Sequence, residues 1–253
     1  MDAEQLIRDK LKELARRSDQ RQQYTFTDFL GMMELNILYE ISGDLVPVSY
    51  GLYGGMDGCE RLMARFGSES ELGYSQDFPI NCVRIAPAAK KFAEPLNHRD
   101  FLGALMNLGI VRGKLGDIMI YDNTGYVFCT EDMTEYILSS LTRIRHTDVR
   151  CEACSTLPEY VVPKWRAMSI QAASERVDAV IAKVYGLTRN ASLELFAGKR
   201  VFINGRLLEN NSYFLKEKDM VTVRKYGKFS YEGYSSLSKK GKKNIVVKVP
   251  EVL

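Results

Sequence analysis

The stretch DIMIYDNTGYVFCTED, residues 117–132, decides the fold of the middle of this chain. Two apolar runs, 117–121 and 126–129, flank Asp122-Asn123-Thr124-Gly125, a composition that marks a hairpin turn between two strands. Thr130 is placed to cap a following helix whose first turn carries Glu131 and Asp132, where negative charge suits the helix dipole. Met133, Tyr136, Ile137 and Leu141 form the apolar stripe of that helix. Upstream, Asn97 and Asp100 are spaced as a capping box. Phe101, Leu102, Leu105 and Leu108 follow at i, i+1, i+4 and i+7, and Gly109 fits a helix stop.

Strands expected at 80–85 and 147–153 complete the order β-α-β-β-α-β, the split-βαβ plan of ferredoxin-like and RRM-like domains. Before this unit, residues 4–17 read as an amphipathic helix with Leu6, Ile7, Leu11, Leu14 and Ala15 on one face. A second helix is expected from Thr27 or Asp28 to Ser42-Gly43, then an edge strand at 45–50, since Pro47 lacks an amide hydrogen. The glycine-rich turn 54–58 leads into an expected short helix carrying Leu62, Met63 and Phe66. After the middle unit, Pro158 and Pro163 and weak periodicity suggest a linker over 158–172. Val177, Val180, Ile181 and Val184 then mark a helix face, Gly186 stops it, and Thr188 caps the next helix, which ends at Gly198. Asn204-Gly205 is a strong hairpin signal, and strands are expected near 220–224, 229–234 and 244–249. The fold class is α+β, with an α/β subdomain over 1–78, a ferredoxin/RRM-like domain over 79–157, and a distinct basic module over 173–253.

With 253 residues, 45% of them hydrophobic, the chain can build real cores. Five cysteines are too few for a disulfide scaffold. The N-terminal run has no apolar core, so no secretory leader is expected, and no stretch has the length of a membrane span. These features point to a cytoplasmic protein without membrane contact. The net charge of +3 conceals an asymmetry. Residues 170–253 hold 16 Lys+Arg against 8 Asp+Glu, whereas residues 1–169 hold 19 against 24. A +8 module joined to a −5 body suggests a polyanion-binding unit attached to something else. A solvated lysine-rich hairpin is the plainer reading of residues 224–243.

Glu175-Arg176-Val177-Asp178, Gly186-Leu187-Thr188-Arg189 and Gly198-Lys199-Arg200-Val201-Phe202-Ile203-Asn204-Gly205 resemble the S4 domain, or alpha-L RNA-binding motif. Val177 stands where that pattern has Leu, Thr188 where it has Ser, and Lys218-Asp219 where it has Gly-Asp. With Tyr53-Gly54-Gly55, Gly58-Cys59-Glu60-Arg61, His98-Arg99-Asp100-Phe101-Leu102-Gly103 and Lys114-Leu115-Gly116-Asp117-Ile118, most of the chain resembles the bacterial YlmH-like proteins. That resemblance implies a non-catalytic RNA-binding role in translation. The expected partners are structured rRNA or tRNA and the large ribosomal subunit, in rescue or quality control of stalled ribosomes. It also carries a link to cell division. No cofactor is expected, and the chain is expected to act as a monomer. An RNA-modifying enzyme and a division-linked adaptor are the alternatives.

The chemistry of phosphate recognition selects the candidate residues. Arg189 and Thr188 sit at a helix start, where free amides, a hydroxyl and a planar guanidinium fork coincide. Arg176 and Lys183, seven apart, share a helix flank, and Lys199 and Arg200 follow the second helix. Asn204, Lys225, Lys228, Lys239, Lys240, Lys242 and Lys243 complete the expected RNA-contacting set. In the middle domain only Tyr126 and Phe128 imitate the aromatic strand of an RRM, so the standard base-stacking platform is not expected.

Catalytic motifs are weak. Cys151-Glu152-Ala153-Cys154 lacks the second ligand pair of a structural zinc site. His98-Arg99-Asp100 imitates a kinase loop, but Leu105 stands where an Asn is required. The glycines of 51–58 lack the Gly-Lys-Ser/Thr of a P-loop. His98 and His146 are the two histidines of the sequence, which leaves few candidates for acid–base chemistry.

Overall fold

The computed structural model describes residues 3–45, 47–162, 164–237 and 242–251. The chain is mixed α+β and divides into two compact units, Met1–Val162 and Pro163–Leu253. No described helix is long and apolar enough to cross a membrane.

The first unit begins with α1 (Ala3–Arg21), β1 (Thr25–Leu30), α2 (Met32–Ile41), β2 (Tyr50–Tyr53), β3 (Leu62–Phe66) and the short α3 (Glu69–Leu72). The strands form an antiparallel sheet in the order β1-β3-β2. Three sequence expectations fail here. The helix expected from Thr27 begins only after Gly31; Thr25-Phe26-Thr27-Asp28-Phe29-Leu30 is a strand, as its β-branched and aromatic residues favour. The helix expected at Leu62–Phe66 is the central strand of the sheet. Ala64 and Phe66 pack with Leu11, Leu35 and Leu38, while Met63 packs on the opposite side. A short strand buried on both faces has no polar alternation, so its periodicity cannot be told from that of a helix. The edge strand expected at 45–50 begins only at Tyr50, after a 3-10 turn at Ser42–Leu45; Val46 lies outside the described residues.

The same unit continues with β4 (Ile80–Pro87), α4 (His98–Asn107), β5 (Leu115–Tyr121), β6 (Thr124–Thr130), α5 (Glu131–Ser140), β7 (Arg143–Ile144) and β8 (Thr147–Ala153). Their antiparallel sheet has the order β5-β6-β4-β8-β7. The capping box is present: Asn97 Oδ1 accepts from the Arg99 amide at 2.9 Å, and Asp100 Oδ2 accepts from the Asn97 amide at 2.9 Å. The β5–β6 turn is Asp122-Asn123, both at positive φ (45° and 61°), with Tyr121 opposite Thr124. That is the turn geometry that matches strand twist.

Both faces of this sheet are buried. Val83, Ile85, Val127 and Cys129 lie with Phe101, Leu105 and Ile137 from the helices. Cys82, Tyr126 and Phe128 lie on the other side with Phe29, Met63, Phe78 and Val161. The loop between β2 and β3 seals that second side. Gly55 has φ +103°, and a Cβ there would lie 2.4 Å from the Phe128 ring. Only glycine admits such an approach.

The second unit comprises β9 (Trp165–Ala172), α6 (Val177–Val184), α7 (Arg189–Ala197), β10 (Val201–Ile203), β11 (Arg206–Leu207), β12 (Met220–Val223), β13 (Gly227–Leu237) and β14 (Lys243–Pro250). The sheet order is β11-β10-β12-β13-β14-β9, antiparallel throughout. Most of the expected linker 158–172 is therefore strand: β9 pairs with β14 from Lys243↔Ala172 to Pro250↔Trp165. Its partner lies almost eighty residues downstream, too distant for local sequence to reveal. Val177, Val180, Ile181, Leu195, Phe196, Phe229 and Tyr231 form the core between the helices and the sheet.

Candidate nucleic-acid interface

Helices α6 and α7 are fastened to each other by a buried hydrogen bond. The Ser192 hydroxyl donates to the Asp178 carbonyl at 2.8 Å. Gly186, at φ +63°, ends the α6 segment, and Thr188 Oγ1 accepts from the Ala191 amide at 3.2 Å to start α7. This geometry leaves a groove of about 330 Å³ lined by Ala172, Arg176, Asp178, Lys183, Leu187 and Arg189, among others. Three of the cations singled out in the sequence thus meet in one place.

Their roles differ. Arg176 is held by a two-pronged pair to Asp178, at 3.1 Å from Nε and 2.8 Å from the terminal nitrogen. Asp178 is only 4% exposed, and its hydrogen bonding raises the pKa of the guanidinium. Lys183 and Arg189 are exposed and make no ion pair with a described residue. They supply the uncompensated charge of the groove. Bidentate pairing orients a guanidinium but consumes the donors a phosphate would use, so Arg176 is more a wall of the groove than its grip.

The remaining candidates lie elsewhere. Lys199 and Arg200 follow the far end of α7, about 13 Å along the axis from Arg189 at 1.5 Å per residue. Lys199 pairs with Glu209 at 3.1 Å. The Arg200 carbonyl accepts from the Arg224 amide at 2.9 Å, and the Arg224 guanidinium lies 4.9 Å above the Phe202 ring. Lys225 occupies the turn between β12 and β13 at φ +74°, and Lys228 pairs with Thr222 across those strands. Lys243 bonds Glu175, which also takes the Tyr231 hydroxyl, and lies 4.3 Å over the Tyr234 ring. Lys242 is exposed. Lys239 and Lys240 lie outside the described residues.

Asn204 is exposed, but its side chain is engaged by hydrogen bonds within the module. Its side-chain oxygen accepts from the Met220 amide at 2.8 Å, and its nitrogen donates to Asp219 at 3.0 Å. Buried Asp219 also takes the Lys216 amide and the Tyr213 hydroxyl. Lys218 adopts φ +71°, so the left-handed geometry is kept where the S4 pattern has glycine.

In the first unit, Tyr126 is 2% and Phe128 4% exposed, which closes the base-stacking mode. Cys151, in β8, packs with the helical-layer core, whereas Cys154, just past the end of that strand, packs with the cluster on the other side of the sheet. The Cys151 thiol donates to the Leu141 carbonyl at 3.3 Å, and burial pushes its pKa up to about 11. Cys154 instead lies opposite Cys82, whose carbonyl takes its amide at 2.8 Å. No group of three or more potential metal ligands gathers among the described residues. His98 and Arg99 open α4 beside the Asn97–Asp100 capping box.

Residues 74–157 match the family model "Putative RNA-binding domain in YlmH". The ribosome-associated protein quality control protein P2 of Bacillus subtilis (strain 168) is 28% identical over 239 residues, spanning 92% of this chain and 90% of that protein. The solved structure of cell division protein ylmH from Streptococcus pneumoniae aligns with a TM-score of 0.48 at 19% identity, covering 61% of this chain and 93% of that one. Residues 74–157 thus match the RNA-binding domain of YlmH, and over 92% of its length the chain is similar to a ribosome-associated relative.

Proposed function

We propose that this chain is a non-catalytic RNA-binding protein that acts on the ribosome. It grips structured rRNA or tRNA on the large subunit and serves the rescue or quality control of stalled ribosomes. The observation that carries this reading is the α6–α7 groove, where Lys183 and Arg189 bring uncompensated charge to one concave surface. The +8 balance of residues 170–253 supports it, because phosphate neutralisation supplies most of the affinity of such modules. The ribosomal association of the B. subtilis relative, stated in its name, supports the choice of partner. Backbone and shape, rather than base edges, are what such a surface reads in folded RNA.

The test is filter binding of the full chain to purified large ribosomal subunits and to bulk tRNA. The variant K183E/R189E is expected to weaken binding about tenfold or more, since it reverses two phosphate-facing charges. Unchanged affinity with an intact circular dichroism spectrum would overturn the assignment.

A further inference from the structure

The middle domain presents a second basic groove, on the helical layer opposite its sealed sheet face. One face of α4 along its length, the C-terminal end of α5 and the β7–β8 edge enclose about 520 Å³. Arg99 and Asn107 line it from α4, Ser140 from the end of α5, Thr142 and Arg143 from the following segment, and Arg145 from the β7–β8 turn. Three guanidinium groups face one lining carboxylate, Asp100. We propose that this groove is a second binding site for the sugar–phosphate backbone of RNA. The proposal deepens the RNA-binding reading above and rests on it.

Four observations carry it. First, Tyr126 and Phe128 are covered by residues of the same unit, so any RNA held by this domain must use a surface other than the sheet. Second, the arginines are weakly committed. Arg99 makes no ion pair with a described residue. Arg143 pairs with Asp148 at 3.2 Å, both side chains being more than half exposed. Arg145 divides itself between Glu94 at 3.5 Å and Asp100 at 3.7 Å, longer than charge-assisted hydrogen bonds. Such contacts yield readily to a phosphate, which the planar fork fits better.

Third, Arg145 is set in place by its backbone. It occupies the left-handed region at φ +53°, in a two-residue turn between Ile144 and Thr147. The His146 amide donates to Glu94 Oε1 at 2.8 Å and pins that turn. A non-glycine residue held in this conformation marks a position that the surroundings over-determine. Fourth, Asn107, Ser140 and Thr142 supply neutral donors and acceptors beside the cations, the groups that recognise a ribose 2′-hydroxyl. The groove lies within residues 74–157.

The experiment uses the full chain with bulk tRNA and with large ribosomal subunits as probes. Affinity is measured across a salt series, and ultraviolet crosslinks are mapped by mass spectrometry. R99E/R143E is expected to weaken RNA binding about tenfold and to make the salt slope shallower by roughly two. It should also remove crosslinks from peptides covering 98–108 and 139–146. R99Q/R143Q, which removes charge without reversing it, should show a smaller loss in the same direction and guards against misfolding. Wild-type affinity in both variants, with crosslinks confined to residues 163–253, overturns the groove while leaving the α6–α7 reading intact. Loss of subunit association with tRNA affinity retained, and with the wild-type crosslinks of peptides 98–108 and 139–146 running to ribosomal protein and not to rRNA, assigns the groove to a protein partner and also overturns it. Absence of RNA binding by the wild-type chain defeats both readings together.

Discussion

The Ser192 hydroxyl reaches the main-chain carbonyl of Asp178 at 2.8 Å, with Ser192 fully buried between α6 and α7. This bond sets the spacing of the two helices whose side chains line the basic groove. Ser192→Ala should cost about 1 kcal/mol of stability, the net worth of a typical buried hydrogen bond. It should also weaken RNA binding without altering any charge. Urea denaturation of the full chain checks the first effect and filter binding the second.

Asn204 separates structure from recognition. Its left-handed backbone and its two hydrogen bonds, to Asp219 and Met220, build the β10–β11 turn. Asn204→Ala should destabilise the module by about 2–3 kcal/mol, losing two bonds and adding strain. Asn204→Gly relieves the strain and should cost less. Both variants, once folded, should bind RNA as the wild type does; a large affinity loss in folded Asn204→Gly would give the side chain a direct role.

Ionic strength reports the size of the interface. If six phosphates are neutralised, log K should fall against log[salt] with a slope of about −4 to −5. K183E/R189E should flatten that slope by roughly two. A slope near zero, measured by the same binding assay, would mean that the contact is not electrostatic.

Acid should loosen the second unit through Glu175. Burial works against its charge, but hydrogen bonds from Lys243 and Tyr231 outweigh it, and its pKa is lowered. A carboxylate depressed in the folded state contributes stability above its ordinary pKa of about 4.3 and loses it as pH falls through the folded value. Glu175→Gln should therefore flatten the acid limb of the stability–pH curve below about pH 4.5. Denaturant midpoints taken between pH 3 and 7 would reveal it.

Cys129 and Cys151 should be slow nucleophiles. Burial pushes the thiols of Cys129 and Cys151 up to about 11, so little thiolate exists at neutral pH. Iodoacetamide should label both far more slowly in the native chain than in urea. Fast native labelling of Cys151 would revive a redox reading of the Cys-x-x-Cys spacing.

What the sequence made legible was local. The capping box of Asn97 and Asp100, the turns at Asp122-Asn123 and Asn204-Gly205, and the β-α-β-β-α-β order all depend on neighbouring residues. What it concealed was long-range. β3 buries Ala64 and Phe66 on one face and Met63 on the other because two layers cover it, and β9 has meaning only beside β14. The site divides in the same way. The S4-like motifs brought out Arg176 and Arg189, and helical spacing Lys183, but not that Asp178 occupies Arg176 or that Asp219 and Met220 engage Asn204. The arginines of the second groove come from α4 and from a turn more than forty residues later, a juxtaposition that no local spacing encodes.

Strand β9 finally sets where the polypeptide can be cut. A fragment starting at residue 173 would leave the amides and carbonyls of Lys243–Pro250 bare along one margin, an invitation to intermolecular pairing and precipitation. A fragment starting at residue 163 would retain that cover and stay dispersed.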